Sequence, residues 1–519
     1  MTTGLATLPA ALALVALLGL PARPDAALTG APPGQPPALA WRTCRLHGLE
    51  HDVRCARLRR PLDPSRPQGP VFDLEVALLP ALSHDKRADP IFFFAGGPGQ
   101  SAIALAGTIE RLAGRLGDRR DIVLVDQRGT GLSAPLRCAS ASGEESVLRA
   151  LEPQRLVAAM SACRATLQRL SWGDLRYYTT ALAADDVEAV RAALGAANLD
   201  LVGVSYGTRV SMEYSRRYAS HVRRMVLDGV APADMALPQS GDIDAEVALA
   251  ALMRDCAADA DCARAHPRLQ ATWQALLDTP AHAVRVSDPS TGMPVEATVS
   301  PRALRNLVRP ALYQPALSAV LPYALEQAAA GRLDPLLALA SGPPGATAAD
   351  VAEGEHFSVV CSEDVPRMDP GSADASGYRD ICADWPRGAV PAGFYSFPRA
   401  RTAALLLSGG LDPVTPPRHG ARVAAALGPL ARHVIVAEAG HGALALPCMR
   451  EVLARFIEAE DDAAALRVDT HCADDVPRPR DFVPPVASAS PSLPSRRVDR
   501  ERSAAGQGAE ARLPGGDPP

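Results

Sequence analysis

The sequence predicts a protein of the α/β class, with a mostly parallel β-sheet and an inserted, largely helical cap domain. Short apolar runs alternate along the chain with segments of helical periodicity, which is typical of a parallel sheet buried on both faces. Residues 232–399 interrupt this alternation with Ala-rich helical segments and Pro-Gly breaks, as expected for a cap over one edge of the sheet. With 519 residues, 47% of them hydrophobic, the chain is large enough for one core and a cap.

The apolar runs are the predicted strands, at residues 71–79, 91–94, 122–125, 199–204, 225–227, 403–407 and 434–436. Between Ala181 and Leu194, apolar residues recur at a spacing near 3.6 and acidic residues come early. This pattern predicts a helix that leads into strand 199–204. The predicted cap at 232–399 divides the core into two parts, 41–231 and 400–483.

Both ends of the chain have the composition of segments outside a folded core. Residues 12–20 form an apolar run of signal-peptide length, too short to span a bilayer, so residues 1–27 are predicted as a signal peptide of a secreted or periplasmic protein. Residues 28–40 are predicted as a disordered linker and 484–519 as a disordered tail. The net charge of -5 provides no basic surface for nucleic acid, and no other segment indicates a membrane span.

The ten cysteines fit an oxidising compartment, because they are even in number and form no C-x-x-C pattern. Their positions suggest pairs that are close in sequence, with buried free thiols as the alternative. The predicted pairs are Cys44–Cys55, Cys138–Cys163, Cys256–Cys262, Cys361–Cys382 and Cys448–Cys472.

Residues 203–207 read Gly-Val-Ser-Tyr-Gly and lie between a predicted strand and a helical segment. A serine on a tight strand-to-helix turn is the arrangement called a nucleophile elbow, in which the flanking positions must be small. The context predicts that Ser205 is a nucleophile.

A nucleophilic serine needs a histidine base and an acid that orients it, and on this type of fold they follow in the order acid, then histidine. Asp412 comes just after predicted strand 403–407, although an ordinary Asp-Pro turn is the alternative. Of the histidines that follow, only His441 lies between two glycines after the last strand. Asp412 and His441 are therefore the predicted partners of Ser205.

Acyl transfer also needs N–H donors for the oxyanion of the tetrahedral intermediate. Residues 95–99, Ala-Gly-Gly-Pro-Gly, follow strand 91–94 and match neither P-loop nor dinucleotide-binding spacing. We assign the predicted donors to Gly97 and to Tyr206, the residue after the nucleophile. No cofactor is expected, and no metal, since H-E-x-x-H is missing from the sequence.

Together with Asp-Gln-Arg-Gly-Thr-Gly at 126–131, these motifs make residues 41–483 resemble secreted tripeptidyl aminopeptidases and proline iminopeptidase-like α/β-hydrolases. The resemblance implies an α/β-hydrolase fold, a triad of Ser205, Asp412 and His441, and release of N-terminal residues from peptides. Ala95 departs from the iminopeptidase branch, which usually has histidine there, so tripeptidyl and prolyl-type specificity stay open.

An aminopeptidase must hold the free ammonium group of its peptide substrate, for which a buried carboxylate is suited. The cap offers four acids, of which Glu363 and Asp364, next to Cys361, are the predicted anchor; ordinary solvated acids are the alternative. Two polar residues near strand ends have predicted supporting roles: Arg128 hydrogen-bonds to the oxyanion loop, with direct substrate contact as the alternative, and Asp228 is a second such residue.

Three functions are compatible with this sequence. The first is a secreted serine exopeptidase that works through an acyl-enzyme. The second is a carboxylesterase or lipase-like hydrolase, because the same triad cleaves esters. The third is a non-catalytic binding module, which is disfavoured because all three triad residues are present. The oligomeric state stays open.

Overall fold

The computed structural model describes residues 39–139, 144–341, 351–371 and 376–484. The signal peptide predicted at 1–27, all but two residues of the linker predicted at 28–40 and all but one of the tail predicted at 484–519 lie outside the described residues.

A nine-stranded sheet forms the centre of the described part of the chain. Its strand order is β1-β2-β3-β5-β4-β6-β7-β10-β11, and a separate hairpin contains β8 and β9. The strands are β1 Arg42–Cys44, β2 Val53–Pro61, β3 Val71–Leu79, β4 Ile91–Phe94, β5 Ile122–Val125, β6 Leu199–Val204, β7 Val222–Asp228, β8 His282–Ser287, β9 Pro294–Val299, β10 Ala404–Gly409 and β11 Ala431–Val436.

The sheet is mostly parallel, as predicted, with an antiparallel edge. All neighbours from β5 to β11 in the strand order pair parallel. At the other edge β1, β2, β3 and β5 pair antiparallel. The carboxyl ends of β6, β7 and β10 therefore lie side by side, which is where ligands bind in open α/β sheets.

Alternate residues of the central strands pack on opposite faces of the sheet. Phe92 and Phe94 belong to one hydrophobic cluster, whereas Ile91 and Phe93 belong to another. Both faces are covered by helices, so the strands are apolar without alternation. The helices are α1 Ala106–Ala113, α2 Glu144–Leu151, α3 Pro153–Leu167, α4 Thr180–Leu194, α5 Tyr206–Arg217, α6 Leu237–Ala258, α7 Ala260–Ala265, α8 Leu269–Asp278, α9 Pro301–Leu312, α10 Pro315–Ser318, α11 Leu321–Ala329, α12 Asp334–Ser341, α13 Glu353–Glu363, α14 Ser376–Ala383, α15 Pro417–Leu427, α16 Pro447–Glu458 and α17 Asp462–Leu466.

Helix α4, predicted to precede β6, shows how local residues determine where a helix begins and ends. Thr179 caps the N-terminus of α4 by accepting the N–H of Leu182. Gly195 ends α4 in the left-handed conformation, with φ 68°, which glycine adopts without strain. Residues 196–198 then lead directly into β6.

A third hydrophobic cluster lies within the segment between β7 and β10 and contains the β8–β9 hairpin with the surrounding helices. It also takes Val147, Leu148 and Leu151 from α2, which precedes the range predicted for the cap. Helix α13 differs, because Phe357, Val359 and Val360 pack in the main core. The cap boundaries at 232 and 399 remain a prediction.

The five disulfides form with the predicted pairing: Cys44–Cys55, Cys138–Cys163, Cys256–Cys262, Cys361–Cys382 and Cys448–Cys472. Across the described ranges, every helix is too short or too polar to traverse a lipid bilayer.

Candidate active site

Ser205 lies on a strained turn between β6 and α5. Its φ of 57° and ψ of -125° are unusual for a residue with a side chain. The flanking glycines are required by close packing: a Cβ on Gly203 would lie 2.4 Å from the oxygen of Gly207, and one on Gly207 would lie 2.1 Å from the oxygen of Phe94. The sequence therefore folds into the geometry of a nucleophile elbow.

His441 and Asp412 form a hydrogen-bonded pair at the same edge of the sheet. His441 Nδ1 lies 2.8 Å from Asp412 Oδ2. Asp412 Oδ1 accepts the N–H groups of Val414 and Thr415, and Oδ2 accepts the Thr415 hydroxyl at 2.7 Å. Because a carboxylate only accepts hydrogen bonds, Nδ1 carries the proton and Nε2 is left as the basic nitrogen.

Within this pair, the pKa of Asp412 is lowered and the pKa of His441 is raised. Burial alone would raise the pKa of Asp412, but the charge and hydrogen bond of His441, with the bonds from Thr415, hold it below its usual value. Burial alone would lower the pKa of His441, but Asp412, and to a smaller extent Asp228, raise it above 6.5. The imidazole is therefore a stronger base than a free histidine.

Ser205 follows β6 and His441 lies in the loop after β11, and both approach the end of β7. The Ser205 N–H donates to the carbonyl of Asp228, the last residue of β7. A Cβ on the next residue, Gly229, would lie 3.1 Å from His441 Cε1. Within the described residues the Ser205 hydroxyl makes no hydrogen bond to His441; such bonds are often long before substrate binds.

The loop assigned to the oxyanion site lies against the nucleophile. A Cβ on Gly96 would lie 3.0 Å from Ser205 Cβ, and Gly97 has φ 107°. The Tyr206 ring points into the core, where its hydroxyl lies 2.7 Å from Thr180 Oγ1. Gly96 thus lies against Ser205 and Tyr206 follows it in the chain, and the role of Gly97 and Tyr206 as donors stays a prediction.

Asp126, rather than the predicted Arg128, makes the hydrogen bonds next to this loop. Asp126 Oδ1 accepts the Ser101 hydroxyl and the N–H of Ile103. Arg128 makes two hydrogen bonds to Asp186 on α4, and its third nitrogen donates to the carbonyls of Leu62 and Tyr177. The prediction that Arg128 hydrogen-bonds to the oxyanion loop is therefore wrong; its guanidinium joins α4 to the turns around it.

Glu363 and Asp364, the predicted ammonium anchors, are buried against Arg209. Arg209 Nη1 lies 3.2 Å from both oxygens of Asp364 and 3.5 Å from Glu363 Oε2. Glu363 also accepts the N–H and hydroxyl of Thr180 at 2.7 and 2.8 Å. These contacts favour a structural role for Asp364. Glu363 accepts hydrogen bonds from both Thr180 and Arg209.

Glu355, two turns earlier on α13, is a third buried acid of this region. It is 3% exposed, and among the described residues its Oε2 is buried without a hydrogen-bond partner. Burial first, and the nearby Glu363 second, raise the pKa of Glu355 well above 4.5. Burial also raises the pKa of Glu363, to about 7.

Helix α13 connects these acids to the loop at 96–99. The N–H of Ala352 donates to the carbonyl of Gly99 at 2.9 Å. His356 Nδ1 lies 3.3 Å from the carbonyl of Pro98, and Nε2 lies 3.3 Å from the Tyr378 hydroxyl. Since a carbonyl only accepts, His356 donates to Pro98 and accepts from Tyr378. The acids of α13 therefore have a fixed position relative to the oxyanion loop.

The sequence reasoning did not identify Tyr313 and Thr415. The carbonyl of Tyr313, at the end of α9, accepts the His441 N–H at 2.9 Å, and its ring contacts the imidazole edge-on at 5.1 Å. Only the proximity of Thr415 to Asp412 in the chain could have suggested its role. Tyr313 lies in the predicted cap, far from His441 in sequence, so no local pattern marks it.

Cys256, Cys262 and Asp481 form a group of potential metal ligands among the described residues. The two cysteines form a disulfide, which removes their thiolates as ligands. The remaining single carboxylate does not make a metal site.

Comparison with known proteins gives two matches along the chain. Residues 89–279 match the α/β hydrolase fold family, and residues 371–465 match a family described as TAP-like protein. The first range contains Ser205, and the second contains Asp412 and His441.

Three curated relatives are similar over different parts of the chain. Serine protease Hip1 of Mycobacterium tuberculosis is 30% identical over 44% of this chain and 46% of its own length. Tripeptidyl aminopeptidase of Streptomyces lividans is 29% identical over 41% of this chain and 42% of its own length. Carboxylesterase B of Mycobacterium tuberculosis is 27% identical over 80% of this chain and 87% of its own length. The chain therefore matches less than half the length of the first two.

The mostly parallel sheet with a serine elbow at a strand end defines the α/β-hydrolase fold. This chain has that fold, and the part of the chain that contains Asp412 and His441 matches the TAP-like family model.

Proposed function

We propose that this serine hydrolase is a secreted aminopeptidase that releases N-terminal residues or short peptides, with Ser205, His441 and Asp412 as its triad. The observation that carries the proposal is an excess of buried acid beside the loop at 96–99. Glu363 and Asp364 share the guanidinium of Arg209, and the third buried carboxyl group, on Glu355 near Glu363, has no cation beside it among the described residues. Such a cluster requires protons or a further cation, and the ammonium group of a peptide would supply that cation.

The anchor in this proposal is Glu355 together with Glu363. The unpaired oxygen of Glu355 would accept a charge-assisted hydrogen bond, and Glu363 would add a second negative charge. An ammonium group fixed at α13 would place a peptide bond near Ser205 at a set distance from the N-terminus, because α13 is hydrogen-bonded to the loop at 96–99. This arrangement selects an exopeptidase over an endopeptidase.

In the proposed reaction His441 Nε2 takes the hydroxyl proton of Ser205 as the oxygen bonds to the substrate carbonyl carbon. The N–H groups of Gly97 and Tyr206 stabilise the oxyanion. His441 returns the proton to the leaving amine as the C–N bond breaks, and water hydrolyses the acyl-enzyme by the reverse transfers. Asp412 keeps the imidazole in the required tautomer throughout.

A second candidate, an ester hydrolase, is favoured by the similarity to a protein named carboxylesterase B over 87% of that protein's length. The same triad would cleave esters without any use of Glu355. The two functions therefore differ in their need for a free amine.

The test compares wild type, Ser205→Ala and Glu355→Gln on a free-amine tripeptide anilide, its N-acetylated twin and a short acyl ester. We expect Ser205→Ala to abolish all turnover. Glu355→Gln removes a bond worth about 1.5–3 kcal/mol, so kcat/KM on the free-amine peptide should fall roughly 10- to 150-fold.

Cleavage of the ester alone, with no effect of Glu355→Gln, would establish the esterase instead. Turnover that survives Ser205→Ala would remove Ser205 as the nucleophile. Asp364→Asn is the matched control: Asp364 is paired with Arg209, so we expect lower stability without loss of preference for the free amine.

A further inference from the structure

Asp228 contacts both halves of the proposed catalytic centre. It is the last residue of β7, between β6 and β10, and is 1% exposed. Its backbone carbonyl accepts the N–H of Ser205 at 2.8 Å. Its side chain points the other way along the same edge, toward the loop that carries His441.

Both oxygens of the Asp228 carboxylate accept hydrogen bonds from that loop. Oδ1 accepts the N–H of Ala443, and Oδ2 accepts the N–H of Leu444, each at 2.9 Å. These are the first residues of a short 3-10 helix, Ala443–Ala445, two positions after His441. Both partners are N–H donors, and each one faces a different carboxylate oxygen. An asparagine amide would place its NH2 group against one of these donors, so it could accept only one of the two bonds.

The His441 loop is otherwise held at only a few points. On the cap side, its N–H is bonded to the carbonyl of Tyr313. Between His441 and the 3-10 helix, Gly442 has φ 89° and no heavy atom within 4 Å of where a Cβ would lie. Before the histidine, the N–H of Leu411 donates to the carbonyl of Ala439; after the histidine, Asp228 fixes the loop on the sheet side.

We propose that Asp228 is a positioning residue, whose carboxylate fixes the His441 loop relative to the Ser205 turn. The proposal rests on the proposed triad, because the geometry it maintains is that of Ser205 and His441. It assigns no proton transfer to Asp228. Its effect is on the distance and orientation of the imidazole, to which catalysis is sensitive on the scale of 1 Å.

The charge of Asp228 provides a readout that a purely structural role would not change. The titratable groups that face the imidazole are Asp412 from the loop after β10, Asp228 from β7 and Tyr313 from α9. Asp412 supplies most of the increase in the pKa of His441, and Asp228 adds to it. Burial raises the pKa of Asp228 itself to about 6, while the two N–H bonds oppose this.

The experiment measures kcat, KM and the acid limb of kcat/KM for Asp228→Asn on the free-amine peptide. We expect kcat to fall about 10- to 100-fold with little change in KM, because the base is displaced but the ammonium anchor is intact. We also expect the acid limb to move to lower pH, since one negative charge near His441 is lost. Asp228→Glu retains the charge, so its acid limb should stay near that of wild type while kcat falls.

Asp200→Asn is the matched control. Asp200 is equally buried, on the adjacent strand β6, but lies at the far end and bonds to Arg223 and Arg120. We expect this variant to lower stability and leave kcat and the acid limb unchanged in the folded protein. If folded Asp228→Asn has the kcat and acid limb of wild type, the proposal is overturned.

The proposed function is tested separately by Ser205→Ala in wild-type background. Loss of turnover in that variant with no kinetic effect of Asp228→Asn would reject only the positioning role. Should Asp228→Asn not fold, Asp228→Glu decides: a normal kcat in that variant would contradict the proposal.

Discussion

Glu355 is a residue whose local environment opposes folding. An ionised carboxyl group that is buried without a partner loses its hydration and receives nothing in return. Its neighbour Glu363 adds like charge, and both effects raise the pKa of Glu355. Proteins commonly keep such groups where a ligand supplies the missing charge.

This environment predicts a pH-dependent gain in stability for Glu355→Gln. The pKa of Glu355 is near 4.5 in the unfolded chain and well above it in the folded protein. The stability cost is therefore absent below about pH 4.5 and grows as the pH rises, because only the unfolded state ionises freely. Between about pH 5 and pH 8, the free energy of unfolding of Glu355→Gln relative to wild type should increase by about 1–3 kcal/mol in urea titrations.

Glu353→Gln is the control for that prediction. Glu353 lies in the same turn of α13 but is only half-buried, and its Oε2 accepts the N–H of Cys138. Because Glu353 has a hydrogen-bond donor, its substitution removes no unpaired buried acid and should not give the gain in stability expected for Glu355→Gln. Parallel pH curves for Glu355→Gln and Glu353→Gln would contradict the assignment of an unpaired buried acid.

Ser205 and His441 of the proposed triad could be proposed from the sequence because each has a local signature. Ser205 lies between two glycines after a strand, and His441 lies between two glycines after the last strand. The residues that position these groups have no such local signature. Asp228 bonds to Ala443, 215 positions away, and the choice among the cap acids depends on which of them Arg209 reaches. Such contacts depend on the fold and cannot be inferred from spacing along one chain.

Among the elements, the strands buried on both faces were predictable because burial leaves a continuous apolar run. The bounds of β3, β4, β5 and β6 are those predicted. Strands β1 and β2 were missed, since β2 alternates buried residues with exposed arginines at the sheet edge. The β8–β9 hairpin was missed for a similar reason, because half of its residues face solvent.

Helices α13 and α14 are joined by a disulfide that lies close to the proposed substrate site. Cys361 is on α13, which carries Glu355 and His356, and Cys382 is on α14, which carries Tyr378. The bond closes 21 residues of chain, compared with 6 for Cys256–Cys262 in the cap. Both pairs are buried, so their removal costs packing of similar kind.

We expect the double variants Cys361→Ala/Cys382→Ala and Cys256→Ala/Cys262→Ala to differ in activity more than in stability. Loop-closure entropy gives about 3 kcal/mol for the first pair and about 2 kcal/mol for the second. Only the first should also lower kcat/KM on the free-amine peptide, because it frees the helices that hold Glu355 and His356. Denaturant titrations and steady-state kinetics on the two proteins check this, and an equal loss of activity in both would contradict it.

At the scale of the whole molecule, the chain returns from the core to the cap after its last helix. We call residues 476–484 the C-terminal strap. Arg478 forms an ion pair with Asp255 on α6. The Phe482 N–H donates to the carbonyl of Ala319 at 2.8 Å, and its ring contacts Tyr323 edge-on at 5.3 Å. The start of the strap is close to Cys472, which is linked to α16 in the core by a disulfide.

We expect the contacts between core and cap to matter for the proposed catalysis too, because the cap supplies the Tyr313 carbonyl that accepts the His441 N–H. We therefore predict that deleting residues 476–519 destabilises the cap by about 1–3 kcal/mol, the usual range for losing a few contacts of this kind. It should also lower kcat/KM as the Tyr313–His441 contact loosens, and limited proteolysis should cut first in the segment between β7 and β10.

Deleting only residues 485–519 leaves the strap contacts in place and is the matched control, expected to behave as wild type. Phe482→Ala should give part of the same effect without shortening the chain. If the longer deletion matches the control in melting temperature, proteolysis and kinetics, the strap does not connect the cap to the catalytic centre.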